Sequence, residues 1–232
     1  MKNTLFRSLF KRKHKKLFAL FGPPGTGKTT LARQVLSMDP TLGKVILSTT
    51  RLPKANEENG KDFVFLSPSE YTLRLDEKKL IGISQSANIF FGLDPLQLSK
   101  LIEENKTPLV DFDTSVSKNL MNFLGKKNIV RIFVKVPGVE TVKERLLAQK
   151  EYSEEFVERF LEDWQNQNSM IERQKEFDFV IENVDLSKSS EDLMKIVNDN
   201  RNQVKSENKK TFSSTVKSML KKAKDKVVKD PK

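Results

Sequence analysis

Eight residues, Gly22-Pro23-Pro24-Gly25-Thr26-Gly27-Lys28-Thr29, place three glycines, a lysine and a hydroxyl at spacings suited to gripping a polyphosphate. Glycines let the backbone turn so that its N–H groups converge on one anion. A helix opening directly behind them adds partial positive charge. Lys28 reaches the β- and γ-phosphates, and the Thr29 hydroxyl offers Mg²⁺ a hard oxygen, with Thr30 following in the same run. The chemistry expected of Gly22–Thr30 is therefore binding of ATP or GTP with Mg²⁺. A second pair of candidates stands in LVDFD, where Asp111 and Asp113 alternate and so face the same side of a strand. Asp111 is assigned to Mg²⁺, through water if not directly, and Asp113 to the acceptor or to structure.

These groups need elements to hold them. KKLFALF before the loop is an apolar run ending at glycine, as a buried strand does, and GKTTLARQVLSM places Leu31, Val35 and Leu36 on one helical face. KVILSTT, TPLVDFD, IVRIFVKV and DFVIEN read as further strands. Near-continuous apolar strands separated by helices point to an α/β fold, a parallel sheet covered on both faces. The stretch Asp62–Asp94 interrupts the rhythm with short strand-like pieces around one helical piece, and reads as a small inserted lobe. Glu151–Phe177, rich in charge, reads as a long exposed helix.

Composition excludes several chemistries. The 232 residues contain no cysteine and one histidine, His14, inside a lysine run. Thiolate metal sites, disulfides and histidine-based triads are thereby removed. With 37% apolar residues the chain can bury one good core. No run approaches the roughly 20 apolar residues of a membrane span, so the expected location is cytoplasmic. The net charge of +11 is unevenly held: residues 1–16 carry +7 and residues 201–232 carry +8, leaving −4 between them. Two basic tails flank a slightly acidic domain.

Beyond the loop, the order of motifs over Leu17–Val197 resembles the guanylate kinase family. The residues that carry the resemblance are Thr49-Thr50-Arg51-Leu52-Pro53-Lys54, Asn59-Gly60-Lys61-Asp62-Phe63, Phe90-Phe91-Gly92, Asp111-Phe112-Asp113, Arg145-Leu146 with Arg159 downstream, and Val180-Ile181-Glu182-Asn183. The resemblance implies a P-loop NTPase fold in three parts. These are a basic segment over 1–16, a kinase-like domain over 17–200 and a basic tail over 201–232. Within the domain it implies an acceptor-binding lobe at about 48–94 and a helical lid at about 145–177. It further implies that Arg145 and Arg159 act with Lys28 on the moving phosphoryl group, that Asn183 lies beside the adenine, and that Arg51, Lys54, Phe63, Phe91 and Asp113 face the acceptor. The same loop is common in AAA+ ATPases, but their strand ending in Asp-Glu is absent from LVDFDT.

The departures from the family gather at the acceptor. Residues that read guanine or grip its phosphate there align with Leu47, Gly82, Leu93, Phe63 and Phe91, and its second phosphate-binding arginine is Lys54. Each lost hydrogen bond to a charged group is worth about 1.5–3 kcal/mol, and lysine forfeits the guanidinium fork. The expected function is an ATP-dependent phosphotransferase acting on a nucleoside monophosphate or similar small phosphate ester, with GMP disfavoured. The alternative is a guanylate-kinase-like binding module with little or no turnover. The spacing of Phe212, Val216, Met219, Leu220, Ala223 and Val227 in the lysine-rich tail suits a helix on an anionic membrane surface or on nucleic acid.

Overall fold

The computed structural model describes residues 10, 15–86, 88–112, 118–148, 153–155, 157–158, 160–161 and 176–201. Strand β1 (Leu17–Phe21) is buried at all five positions. Leu17, Ala19 and Phe21 join one core cluster, while Phe18 and Leu20 join another on the opposite face. A strand covered on both sides gains nothing from polar alternation, which is why LFALF is apolar throughout.

The main sheet has five strands in the order β2 (Leu42–Lys44), β7 (Thr107–Asp111), β1, β8 (Ile129–Lys135) and β9 (Phe179–Glu182). Every pair is parallel. Helix α1 (Lys28–Met38) buries Leu31 and Val35 on one face, beside Leu193 and Val197 of α6, helical through the described residues 186–201. Helices α3 (Pro95–Glu103) and α4 (Lys118–Leu124) supply Leu98, Ile102, Leu120 and Leu124 to the other face. This is the α/β architecture implied by the sequence, a parallel sheet flanked by helices. With β1 central and β7 and β8 on either side, the register sets Leu20 of β1 beside Asp111 at the end of β7. The crevice beyond the carboxyl ends of such strands is where open α/β sheets bind ligands.

KVILSTT is not one strand. It divides into β2 and β3 (Leu47–Thr49), which belong to different sheets. At the crossing, the Val45 amide still donates to the Leu109 carbonyl at 2.9 Å, whereas the Ile46 amide donates to the Gln97 side chain at 3.1 Å. The side-chain bond satisfies a backbone donor where the ladder ends. The second sheet runs β4 (Phe63–Phe65), β3, β6 (Ile89–Leu93), β5 (Ile81–Ser86), with β3 parallel to β4 and the other pairs antiparallel. Helix α2 (Pro68–Asp76) opens on a capping box between Ser67 and Glu70, and its Tyr71 packs with Leu66 and Leu80.

Within the basic segment expected over 1–16, Phe10 is fully buried in the same cluster as Leu17, Phe21 and Phe133. One expectation needs correction. The segment expected as a long exposed helix over 151–177 lies mostly outside the described residues. Of those described, Val157 and Leu161 are buried against Val142 and Leu146 of α5 (Val139–Leu147). An exposed reading of charge missed this apolar face. The basic tail after residue 201 lies outside the described residues. Among those described, no helix is long and apolar enough to cross a membrane.

Candidate functional site

The loop between β1 and α1 is built on left-handed glycines. Gly27, the N-cap of α1, has φ +83°. A Cβ there would lie 2.5 Å from Asn183 Nδ2, so conformation and close approach both require glycine. Gly25 is also tight, with a notional Cβ 2.9 Å from Val142 on α5. The Thr26 hydroxyl donates to the Pro23 carbonyl at 2.9 Å and is fully buried. Lys28 Nζ folds onto the same Pro23 carbonyl, also at 2.9 Å, which keeps its ammonium within the loop. Gly22, Pro23, Pro24 and Gly25 thus curve over the opening of the helix, with Thr29 and Thr30 in its first turn.

Thr29 Oγ1 donates to Asp111 Oδ2 at 2.6 Å. The contact follows from the register of β1 and β7, which brings the end of one strand beside the loop leaving the other. Two hard oxygen groups from separate elements meet here, the donor set that suits Mg²⁺ sharing its shell with water and phosphate oxygens. Among the described residues no group of three or more His, Cys, Asp or Glu side chains could hold a metal by itself. Asp113 and Arg159, singled out with these groups from the sequence, lie outside the described residues.

Arg145 comes to the loop from α5. Its Nη2 donates to the Asn183 carbonyl at 2.9 Å and its Nη1 to the Thr26 carbonyl at 3.3 Å. Asn183, expected at the adenine, turns its side-chain amide onto the Thr26 carbonyl at 2.8 Å and is itself buried. Both side chains therefore brace the loop. The Thr26 carbonyl is a shared anchor tying α5 and the end of β9 to the segment between β1 and α1.

On the second sheet, Arg51 follows β3. Its guanidinium lies over the Phe63 ring at 5.2 Å and the Phe65 ring at 5.7 Å. Phe63 also packs on Phe91, with ring centroids 6.1 Å apart. Arg51, Phe63 and Phe91 are thus brought together, with Lys54 three residues beyond Arg51 in the same loop. Leu47 and Leu93 behave differently from an open apolar pocket lining. They pair across β3 and β6, and both are buried in the main core cluster.

Three residues here were given no role from the sequence. Glu57 accepts from Arg51 Nη2 at 2.8 Å through one oxygen and from the Lys54 backbone amide at 2.9 Å through the other. Burial pushes its carboxyl up, but the bonds from Arg51 and Lys54 outweigh it and hold the group below the usual range. Asp62 reaches Arg33 of α1 at 3.3 Å and Lys44 of β2 at 3.5 Å, joining the lobe to the main sheet. The Glu58 backbone bond, with Lys44 and Arg33, keeps its carboxyl low. Leu120 of α4 packs against Gly82 of β5. Glu57 and Glu58 look alike in sequence, and only the fold of the Arg51 loop separates their roles.

Residues 14–200 match a family model described as guanylate kinase. Guanylate kinase of Malacoplasma penetrans is 29% identical over 188 residues, covering 81% of this chain and 94% of the relative. That of Synechocystis is 29% identical over 181 residues, covering 78% and 92%. A crystal structure of guanylate kinase from Anaplasma phagocytophilum superposes with a TM-score of 0.62 at 19% identity, over 81% of this chain and 86% of that one, a likeness of fold.

Proposed function

The chain belongs to the guanylate kinase family, and from that premise we propose that it transfers the γ-phosphoryl group of Mg-ATP to a small phosphate monoester. The observation that supports this most is the meeting of Thr29 and Asp111 at 2.6 Å beside Lys28. It joins a metal-type oxygen pair to a phosphate-type cation at the carboxyl ends of the central strands. Thr29 and Asp111 would hold Mg²⁺ there, and the ion would supply positive charge against the charge that develops on the transferred group.

The remaining chemistry falls to this chain's own groups. An oxygen of the acceptor's phosphate attacks the γ-phosphorus, the bond to the β-phosphate oxygen breaks, and ADP leaves as the acceptor becomes a diphosphate. A phosphate dianion already carries a nucleophilic oxygen, so positioning and positive charge matter more than a general base. Lys28 and the loop amides hold the donor. Arg51 and Lys54, fixed through Glu57, attract the acceptor's dianion, while the Phe63 and Phe91 rings bound it without hydroxyls. Arg145 braces the loop and, with Arg159, brings lid charge to the transferred group. The working unit is the 17–200 domain, with the acceptor lobe at about 48–94 and the lid at about 145–177.

A binding module without turnover has less support, because the complete loop with Lys28, Thr29 and Asp111 is costly to keep for recognition alone. The test is ADP release from Mg-ATP with a panel of monophosphates, run on wild type and Lys28→Ala. Acceptor-dependent release lost in the variant supports the kinase. No release with any acceptor on the panel, while Mg-ATP still binds, supports the module.

A further inference from the structure

We propose that the groove between β9 and α6 is a docking surface for this chain's own basic segment, residues 212–227, which follows α6 and lies outside the described residues. Such docking does not depend on the phosphotransfer reaction. Among the described strands β9 is the outermost of the main sheet and pairs only with β8. Native proteins cover such edges, because unpaired amides and carbonyls invite another segment. Here the edge is also apolar. Of the nine large hydrophobic residues exposed among the described ones, four (Phe179, Val180, Val184 and Leu186) fall within eight consecutive positions. Scattered apolar side chains need no explanation, whereas a contiguous set marks a contact surface. Between β9 and α6 lies a groove of about 840 Å³, to which no residue of the phosphate loop or the acceptor lobe contributes.

Charge, length and point of departure select the occupant. The α6 wall carries Asp192 and Asp199, both exposed and in no ion pair among the described residues. Asp185 and Glu182 lie toward the far end, and against these four carboxylates the groove sets two lysines, Lys188 and Lys195. Residues 212–227 carry five lysines and one aspartate. Their Phe212, Val216, Met219, Leu220, Ala223 and Val227 recur at helical spacing, an apolar stripe flanked by lysines. Such a helix lays its stripe in an apolar groove, here on Phe179, Val184 and Ile196, with lysines toward the aspartates. An anionic lipid surface would be repelled by the same aspartates. Length agrees as well: residues 186–201 and 212–227 both number sixteen, about 24 Å as helix at 1.5 Å per residue. The departure point is pinned, since Arg201 Nη1 donates to Asp39 Oδ2 at 2.7 Å, and Asp199 and Asn200 line the near end of the groove. Residues 202–211 reach roughly 16–19 Å even as a random coil. That is enough to turn the chain back antiparallel to α6, which sets Ser218 beside Lys195.

The chain has no cysteine, so introduced thiols report proximity without background. The experiment follows intramolecular disulfide formation under mild oxidant in dilute full-length protein. It compares Lys195→Cys/Ser218→Cys with the control Lys79→Cys/Ser218→Cys, whose first position is in the acceptor lobe. Docking raises the effective concentration of one thiol at the other, so the Lys195 pair should close at least about tenfold faster than the control. High salt should slow it. Adding Asp192→Lys/Asp199→Lys, or Met219→Asp/Leu220→Asp, should bring the rate toward that of the control. Equal rates in the two pairs overturn the proposal, as does a rate unchanged by either set of substitutions in a folded protein. A bond that forms only between molecules also overturns it, and assigns the groove to a second copy. Control-level closure with sedimentation of the full chain on phosphatidylserine vesicles overturns it in favour of a membrane anchor. Should Asp192→Lys/Asp199→Lys not fold, as its melting curve would show, Met219→Asp/Leu220→Asp decides.

Discussion

Arg51 and Glu57 form a 2.8 Å ion pair whose carboxylate also receives the backbone amide of Lys54 at 2.9 Å, so one side chain fixes the Arg51 guanidinium and the Lys54 backbone, the two residues proposed to attract the acceptor. The pair is largely shielded from solvent, with 21% and 14% of the two side chains exposed. Glu57→Ala should therefore raise the acceptor KM by roughly 10- to 100-fold, the range of one charge-assisted hydrogen bond, about 1.5–3 kcal/mol. The ATP KM should barely move. Because the Glu57 carboxyl is held below 4.5, the pair is fully present above the ordinary carboxylate range and is lost as pH falls through the lowered value. Steady-state kinetics varying each substrate separately, repeated down to mildly acid pH, check both points.

The donor site predicts a split between binding and metal dependence. Lys28→Ala should weaken Mg-ATP binding by about 10- to 100-fold, since a cation aimed at phosphate oxygens is lost. Asp111→Asn should leave the loop folded, with Thr29 still hydrogen-bonded, yet raise the Mg²⁺ concentration needed for half-maximal ATP binding. Calorimetry across a Mg²⁺ titration separates the two, and equal Mg²⁺ dependence in wild type and Asp111→Asn would refute the assignment of that carboxylate.

Tyr71 donates its hydroxyl to the Phe91 carbonyl at 2.9 Å from beneath the second sheet, and burial pushes its pKa up to about 12. Tyr71→Phe keeps the ring on Phe90, 5.5 Å away, but leaves a strand carbonyl short of one bond. It should lose about 1 kcal/mol, or roughly 2–4 °C in Tm for a domain of this size. The raised pKa favours the neutral phenol in the folded state. Stability from this group is therefore intact below about pH 10 and declines as pH rises toward 12. Thermal melts from pH 8 to 11 should show less alkaline loss in Tyr71→Phe than in wild type.

Where β9 begins, Asp178 accepts from Arg131 through both oxygens, at 2.8 Å from Nη2 and 3.1 Å from Nε, and also from the Arg131 amide at 2.8 Å. Burial raises the Asp178 pKa, but these bonds bring it below 3.8 overall. The contribution is present above that value and disappears as pH falls through the lowered one. Asp178→Asn should move the acid-unfolding midpoint toward neutral pH and lower Tm at pH 7, as circular dichroism would report.

Much of this was legible in the chain itself. The glycine spacing of Gly22–Thr29 needs only local sterics and a following helix, so sequence alone locates a phosphate loop. The uninterrupted apolar character of LFALF follows from burial on both faces, and marks a parallel sheet before any partner strand is known. The departures at Leu47, Phe63, Gly82, Phe91 and Leu93 are equally visible as residue types. What they do is not, because a leucine in a strand reads the same whether it lines a cavity or fills a core. Tertiary packing put Leu47 and Leu93 into the core and set Leu120, from a helix nearly 40 residues away in sequence, over Gly82. It likewise split KVILSTT between two sheets, turned Asn183 onto the Thr26 carbonyl, and chose Glu57 rather than Glu58 to hold Arg51. Local geometry is a property of a few neighbouring residues, whereas each of these outcomes depends on which distant surface arrives opposite. That is decided only when the whole chain closes on its core.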